Sequence, residues 1–288
     1  MDIDVLGALA VRENGISITP TAPKPRQVLA LLALHADQVV PVSALIEELW
    51  AGAPPRSART TLQTYVLQLR ALIANALEQG PRGDTGSEDG DPRAGRGRRT
   101  AKDVLVTLPG GYLLDSGGGV SDVREFERLS GMGYRAMDAG DFPGAARQLR
   151  DALSLWSGPA FADVHGGIQL DMETRRLEET RLCALDQRIE ADLRLGRHRE
   201  LLAELTVLAS RYRTHENLHG QFMLALHRSG RRSEALDVYQ RLRATLVREL
   251  GLEPSAALRR LQRSILMAGP ESPLEAPEAN GERLVRVG

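Results

Sequence analysis

Three short stretches in the second half of the chain share one pattern, which restricts the possible fold more than any other feature. They are AGDFPGAARQL, LGRHRELLAEL and SGRRSEALDVY, and they contain Gly140, Gly196 and Gly230. Apolar residues recur five, six and nine positions after each glycine. This spacing places the apolar side chains on one face of a helix that begins just after the glycine. The pattern predicts three copies of a helix–turn–helix unit.

The distance between the glycines indicates how these units are arranged. Gly196 and Gly230 are 34 residues apart, and Gly140 precedes Gly196 by 56 residues, which is 34 plus a 22-residue insertion near WSGPAFADVHGGIQ. A period of 34 residues is typical of tetratricopeptide repeats, which stack to bury a shared core and leave a concave face. We therefore expect a tetratricopeptide-like all-α domain over residues 121–268. Residues 269–288, rich in proline, are expected to form a disordered tail.

The first 116 residues have a different pattern of short strands and three helices. The segments IDVLGALAV and GISI predict two strands, and PRQVLALLALHAD predicts the first helix. Ser43 and Ser57 are expected to cap the next two helices, SALIEELW and ARTTLQTYVLQLRALIANALEQ. A hairpin, DVLVTL and YLLD, follows around a Pro-Gly-Gly turn. The fold class is therefore mainly α, a winged helix-turn-helix with small β elements before the repeat domain.

Two segments of low complexity flank this hairpin. Residues 80–102 contain six glycines, two prolines and no large apolar residue, so we expect a disordered insertion before the wing. The segment SGGGVS, after the hairpin, is expected to be a flexible linker between the two domains.

Composition excludes several classes of protein. The chain is 42% apolar and 26% charged with a net charge of −1, as in ordinary soluble proteins. Its one cysteine, Cys183, excludes an internal disulfide and a multi-cysteine metal cluster, and we expect it in a helix core. There is no apolar run of about 20 residues and no signal-peptide pattern at the start. We expect a cytoplasmic protein with no membrane partner.

The third helix carries the residue types that contact DNA. Its apolar stripe is Leu62, Val66, Leu69 and Ile73, and the opposite face carries Arg59, Thr60, Gln63, Thr64, Leu67 and Arg70. Threonine, glutamine and arginine reach phosphates and base edges in a major groove. Three arginines, Arg56 included, and no acidic residue lie between residues 49 and 77. A DNA-reading helix is favoured, and the alternative is an ordinary solvated helix face.

Longer stretches resemble a known family. The run PRQVLALLALHADQVVPVSALIEELWAGAPPRSARTTLQTYVLQLRALI, followed by VLVTLPGGYLL, resembles the winged-helix domain of the Streptomyces antibiotic regulatory proteins, which is similar to the output domain of OmpR/PhoB-type response regulators. The stretches AGDFPGAARQLRDALSLWSGPAFADV, LHRSGRRSEALDVYQRLRATLVRELGLEPS and ALRRLQRSIL resemble the bacterial transcriptional activator domain. Together they cover about residues 1–268.

This resemblance implies a function. Such proteins are transcriptional activators of an antibiotic or other secondary-metabolite gene cluster, without enzymatic activity or cofactor. They bind direct repeats in double-stranded DNA near promoters, with a second protomer placed head to tail. They recruit RNA polymerase with its sigma factor.

The resemblance also implies site residues. The residues expected to face the DNA groove are Arg59, Thr60, Thr61, Gln63, Thr64, Leu67 and Gln68. The residues expected to contact the DNA backbone are Lys24, Arg26, Gln27, Trp50, Arg70 and Thr107; for Trp50 the alternative is a place in the core. Arg56 and Gly110, in the wing turn, are further expected DNA-binding residues. The family often has T-R-P-P-G-Y in the wing, and this chain has Leu108 in place of the arginine. We hypothesise that Arg96, Arg98, Arg99 and Lys102 supply the missing charge; the alternative is an inert solvated segment.

Three other functions are compatible with parts of the sequence. His215 to His219 fit H-E-x-x-H, which can hold zinc on a helix, but no third ligand follows in a supporting pattern. A sensing module is a second possibility, in which a metabolite or peptide on the concave face gates DNA binding and residues 156–170 form a lid or interface. A scaffold whose winged helix binds only protein is the third, and the Arg/Thr/Gln helix face argues against it.

Overall fold

A computed structural model describes residues 1–80 and 99–267 of the chain. These residues form two compact units. The first combines Met1–Tyr134 with Arg147–Leu185. The second combines Arg135–Ala146 with the residues from 186 to 267.

The first unit begins with a small antiparallel sheet. Strands β1 (Asp2–Asp4), β2 (Ala10–Glu13) and β3 (Ile16–Ser17) pair in that order, and Asn14-Gly15 forms the turn between β2 and β3 with positive φ at both residues. The expected single strand IDVLGALAV is wrong, because the chain leaves the sheet after Asp4.

The interruption has a specific partner. The amides of Val5 and Leu6 both donate to Oδ2 of Asp122, each at 2.7 Å. Asp122 is buried at the start of a later helix. The carboxylate therefore replaces the strand partner that these two amides lack.

Three helices and a second sheet complete the winged helix. The helices are α1 (Pro23–Leu34), α2 (Val42–Trp50) and α3 (Ala58–Gln79). Strand β4 (Val39–Pro41) pairs with the wing hairpin of β5 (Leu105–Leu108) and β6 (Gly111–Leu114), in the order β4-β6-β5. The predicted winged-helix elements are all present.

Both predicted serine caps need correction. Ser43 lies inside α2, where Pro41 is the N-cap residue. Ser57 is the N-cap residue of α3, but its side chain makes no capping hydrogen bond.

The expected disorder before the wing is wrong for its last residues. Residues from Arg99 onward are ordered, because Thr100 and Asp103 form the capping box of the short helix α4 (Ala101–Val104). Arg99 forms ion pairs with Asp115 and Glu13. The remainder, residues 81–98, and the predicted tail, residues 269–288, lie outside the described residues.

The expected flexible linker SGGGVS is also held in place. The backbone amide and hydroxyl of Ser116 donate to the carboxylate of Asp37, both at 2.8 Å. The amide of Ile3 donates to the carbonyl of Val120. These bonds tie both ends of the segment to the winged helix.

Three further helices follow this segment: α5 (Asp122–Asp138), α6 (Phe142–Ser154) and α7 (Ile168–Arg194). The predicted insertion joins α6 to α7. Its amides at Ser157, Phe161 and Ala162 donate to the carbonyls of Leu6, Val5 and Gly7 at 2.9 Å each. The suggestion that residues 156–170 form a lid is therefore not supported, since the described contacts hold the segment against the β1–β2 loop.

The second unit contains the repeated turns and α8 (His198–Arg211), α9 (Glu216–Arg228), α10 (Arg232–Leu250) and α11 (Ala256–Met267). Gly140, Gly196 and Gly230 have φ of +75°, +78° and +81°. After each one, the next amide donates to a carbonyl five residues earlier: Asp141 to Ala136, Arg197 to Asp192 and Arg231 to Leu226. This is the Schellman end of a helix, which favours glycine. The predicted glycine turn is therefore confirmed at all three positions.

Two other expectations concern α7 and the membrane. Cys183 is exposed on α7, so its predicted place in the core is wrong. Within residues 1–80 and 99–267, no helix combines the length and apolarity that crossing a bilayer requires.

The carboxylate of Asp122 gives the first prediction. We expect Asp122→Ala to lower the free energy of unfolding by about 2–4 kcal/mol, because two buried amides lose their acceptor. Asp122→Asn keeps an acceptor oxygen and should cost less than about 1 kcal/mol. Urea unfolding at neutral pH compares the two, and equal losses would contradict the role of the amides.

The pH dependence of the same residue gives a second readout. Burial is the largest influence on Asp122, and it raises the pKa of this carboxyl group. A raised folded-state pKa means that the contribution of Asp122 to stability is largest at low pH and declines as the pH rises through that pKa, although its hydrogen bonds to the two amides remain. Wild type should therefore gain stability relative to Asp122→Asn on acidification. Identical pH dependence of the two proteins would contradict this.

Candidate nucleic-acid interface

Helix α3 separates into a buried and an exposed face as predicted. Its core side chains are Ala58, Leu62, Val66, Leu69, Ile73 and Ala76. The opposite side chains, Arg59, Thr60, Gln63, Thr64, Leu67 and Gln68, are exposed, and Thr61 is half-buried. Leu67 is 63% exposed, although it is apolar. The exposed set lies in the first half of the helix and forms one polar face with a single large apolar side chain.

The N-terminal end of α3 is electropositive. Arg56 and Arg59 are exposed, and no carboxylate among the described residues forms an ion pair with either. The first turn contains no acidic residue. Because the helix dipole adds partial positive charge at the same end, this end of α3 suits an anion.

Arg70 connects α3 to the wing. Its Nε and Nη2 donate to the carbonyl of Leu105 at 3.1 and 2.7 Å, and Nη2 donates to Oγ1 of Thr107 at 2.8 Å. Thr107 is exposed, and its hydroxyl hydrogen is directed elsewhere because Oγ1 accepts from Arg70. Arg70 therefore joins α3 to β5 inside the protein, and Thr107 lies beside α3.

The three predicted residues of α1 also make internal contacts. Lys24 Nζ donates to the carbonyl of Leu49 at 2.8 Å. Arg26 forms an ion pair with Asp163 at 2.7 Å and donates to the carbonyl of Pro20. Gln27 is only 3% exposed. Each of these side chains is engaged within the first unit.

Gln27 belongs to a buried group centred on Glu48, a residue that sequence reasoning missed. Nε2 of Gln27 donates to the carbonyl and Oε1 of Glu48 at 2.8 and 3.0 Å. The Glu48 carboxylate, 2% exposed, accepts the amides of Gly167, Gln169 and Leu170 at the start of α7. The one available signal was the position of Glu48 beside Leu45 and Leu49 on the buried face of α2. A charged residue on that face requires a partner.

The remaining predicted residues lie around the wing. Trp50 is half-buried against the core. Gly110 is exposed in the wing turn with φ +81°, and its carbonyl accepts the amide of Val42 at 2.9 Å. Lys102 is exposed on α4, just before β5, whereas the guanidinium of Arg99 also donates to the carbonyl of Asp115 at 2.8 Å. Arg96 and Arg98 lie outside the described residues.

The H-E-x-x-H histidines have other partners. His215 is the N-cap residue of α9, and its Nδ1 accepts the amide of Leu218. His219 is buried with its Nδ1 3.0 Å from the carbonyl of His215, and burial lowers its pKa. Across the described ranges, no group of three His, Cys, Asp or Glu residues is placed to hold a metal. These two histidines therefore make their hydrogen bonds at the N-terminal end of α9.

Comparison with protein families gives two matches along the chain. The family described as "Bacterial transcriptional activator domain" matches residues 121–266. The family described as "Transcriptional regulatory protein, C terminal" matches residues 17–82. The second match contains α1, α2 and α3, and therefore the exposed helix face.

Individual relatives agree with these matches. "Regulatory protein DnrI" of Streptomyces peucetius is 52% identical over 278 residues, which cover 96% of both chains. "Regulatory protein AfsR" of Streptomyces coelicolor is 34% identical over 92% of this chain, which spans 24% of that protein. Both names describe regulators, in agreement with the prediction of a protein that is not an enzyme.

A solved structure is similar over nearly the whole chain. It is entitled "Mycobacterium tuberculosis EmbR in complex with low affinity phosphopeptide", with a TM-score of 0.79 and 31% sequence identity. The match covers 95% of this chain and 66% of that one. Its agreement in fold, the two family matches and the 52% identity to DnrI lead to one conclusion. The chain belongs to the Streptomyces antibiotic regulatory protein family of transcriptional regulators, with a winged helix followed by a helical activator domain.

Proposed function

We propose that the protein binds double-stranded DNA through α3 and the wing. The observation that carries this proposal is the exposed polar face of α3, whose N-terminal end holds Arg56 and Arg59 without carboxylate partners among the described residues. An α-helix fits the major groove, and recognition helices place their N-terminal residues deepest. The first half of α3 would therefore meet the bases.

The side chains on this face have the chemistry for sequence recognition. Arg59 would donate to guanine, and Gln63 would donate to and accept from adenine. Leu67, apolar and exposed, suits the methyl group of thymine. Thr60 and Thr64 complete the face, although Thr64 Oγ1 already donates to the carbonyl of Thr60 at 3.1 Å.

The wing would lie along the phosphates beside the same groove. Thr107 and Gly110 are exposed there, and Lys102 adds a positive charge from α4. Arg70 would act indirectly, since its bonds to Leu105 and Thr107 hold β5 against α3. Lys24, Arg26 and Gln27 would support the fold of this surface through their internal contacts.

Membership of the family supports a wider role. The protein would be a cytoplasmic activator of one antibiotic or other secondary-metabolite gene cluster. Two protomers would bind direct repeats near a promoter, head to tail, and recruit RNA polymerase with its sigma factor. A gel shift on the intergenic DNA upstream of its own gene, titrated with salt, tests the DNA component. Binding that requires two spaced repeats is expected.

Arg59 provides the sharpest test of the helix. We expect Arg59→Ala to weaken binding to the cognate site by about 1–3 kcal/mol if the guanidinium contacts a base, with relaxed preference at one position. If it contacts a phosphate, the slope of log affinity against log salt concentration should instead fall by the value expected for about one phosphate contact. Fluorescence anisotropy over a range of salt concentrations measures both quantities.

Arg147→Ala is the matched control, because Arg147 is an exposed arginine on α6 and the change of charge is identical. Its DNA affinity should equal that of wild type within about two-fold. Wild-type affinity in Arg59→Ala would refute the assignment of α3.

The basic residues before the wing give a separate prediction. We expect the triple variant Arg96→Gln, Arg98→Gln and Lys102→Gln to reduce the slope of log DNA affinity against log salt concentration. The decrease should correspond to about one to two phosphate contacts, because fewer counterions are released. Arg99 is left unchanged, since its bonds to Asp115 are structural. An unchanged slope would show that these charges are an inert part of the surface.

A further inference from the structure

The second unit contains an open groove that the proposed DNA interface does not use. It has a volume of about 680 Å³ and lies between α8, α9 and α10. Phe222, Val238 and Leu242 supply apolar lining. Arg213, Arg241 and Arg248 supply positive charge, and no acidic residue lines the groove among the described residues. Its lining is therefore both apolar and cationic.

The positive charge of this groove is only partly balanced. Arg213 and Arg248 share one carboxylate, that of Glu249, at 3.0 and 3.1 Å. No ion pair with Arg241 occurs in the part of the chain that the structure describes. One shared carboxylate is therefore within ion-pair distance of two of the three guanidinium groups, and Arg241 interacts at longer range with the charge of Glu234. The remaining positive charge makes the groove suited to an anionic ligand.

The other polar groups of the groove do not compete for this role. The hydroxyls of Thr206 and Ser210 donate to carbonyls of their own helix at 2.8 and 3.0 Å. His219 lies in the lining, and burial lowers its pKa, with a smaller lowering by the positive charge of Arg241. Burial therefore disfavours the charged form of this imidazole. The arginines are the charged recognition groups.

The spacing of the arginines indicates the length of the ligand. Arg241 and Arg248 are seven positions apart on α10, which is about 10 Å along the helix axis. The two guanidinium groups can therefore each pair with a separate carboxylate. In a peptide of polyproline II conformation, side chains three positions apart lie on the same side and are about 9 Å apart. Ala244 and Thr245 lie between the two arginines on the same side of α10 and line the groove.

We propose that the groove between α8, α9 and α10 binds an extended acidic segment of a protein partner. Two carboxylates about three positions apart in the segment pair with Arg241 and Arg248. Apolar side chains between them pack on Ala209 and Ala244, which line the groove and are accessible. The groove is thereby a protein-docking surface of the second unit with a preference for acidic, amphipathic sequence.

The test uses the full chain and a fluorescein-labelled seven-residue peptide with two glutamates three positions apart and leucines between them. A second peptide carries glutamines in place of the glutamates. We expect anisotropy titrations at low salt to show binding of the acidic peptide that is roughly ten-fold or more tighter. Arg241→Gln should weaken this binding about five-fold. Arg199→Gln, an exposed arginine of α8 outside the groove, is the control and should have no effect.

Each other result overturns the proposal. Equal affinity for the two peptides excludes recognition of the carboxylates. Wild-type affinity in Arg241→Gln places the peptide elsewhere. Full displacement of the peptide by succinate at the same carboxylate concentration shows a site for small dicarboxylates instead of a peptide groove. DNA binding by Arg241→Gln is measured in parallel and should be unchanged, so failure of this proposal is distinguishable from failure of the DNA interface.

Discussion

The arrangement of the first unit depends on the hydrogen bonds that the buried carboxylate of Glu48 accepts. It accepts three backbone amides at the start of α7, where the helix has no internal acceptors to offer them. Gln27 completes its set of partners from α1. A carboxylate at a helix N-terminus is stabilised by the helix dipole and by charge-assisted hydrogen bonds. Helices α1, α2 and α7 therefore have one common polar centre, and the winged helix packs with part of the activator domain within one unit.

Local signals in the sequence predicted the elements that depend on local physics. The glycines at 140, 196 and 230 mark three identical helix ends, because a left-handed residue is required there. The faces of α3 follow directly from helical periodicity. By contrast, the bonds of Glu48 to Gly167 and of Asp122 to Val5 join residues more than 100 positions apart. No spacing pattern contains such information, so both carboxylates were missed. Cys183 was wrongly placed in the core because its neighbours Leu182 and Ala184 are buried, whereas its own position on α7 is exposed.

The basic and amide side chains show why residue type alone assigns a DNA contact poorly. A guanidinium group forms the same planar hydrogen bonds with a phosphate, a carboxylate or a carbonyl. Arg26 binds Asp163, and Arg70 binds Leu105 and Thr107, whereas Arg59 has no carboxylate partner among the described residues. Exposure and hydrogen-bond partners separate these three arginines, although the family resemblance implies a DNA contact for each. The candidate interface therefore contains fewer DNA-contacting residues than residue type alone predicts.

The hydrogen bonds of Arg70 and Arg99 have a consequence for how the family can diverge. Arg70 holds β5 against α3, and Arg99, with the capping box of Thr100 and Asp103, fixes the chain where it enters the wing. The distance between α3 and the wing is thus set by contacts on either side of residues 81–98. We therefore expect insertions and deletions in that stretch to leave this distance unchanged. Its length and charge could then differ among relatives without a change in the position of the wing beside α3.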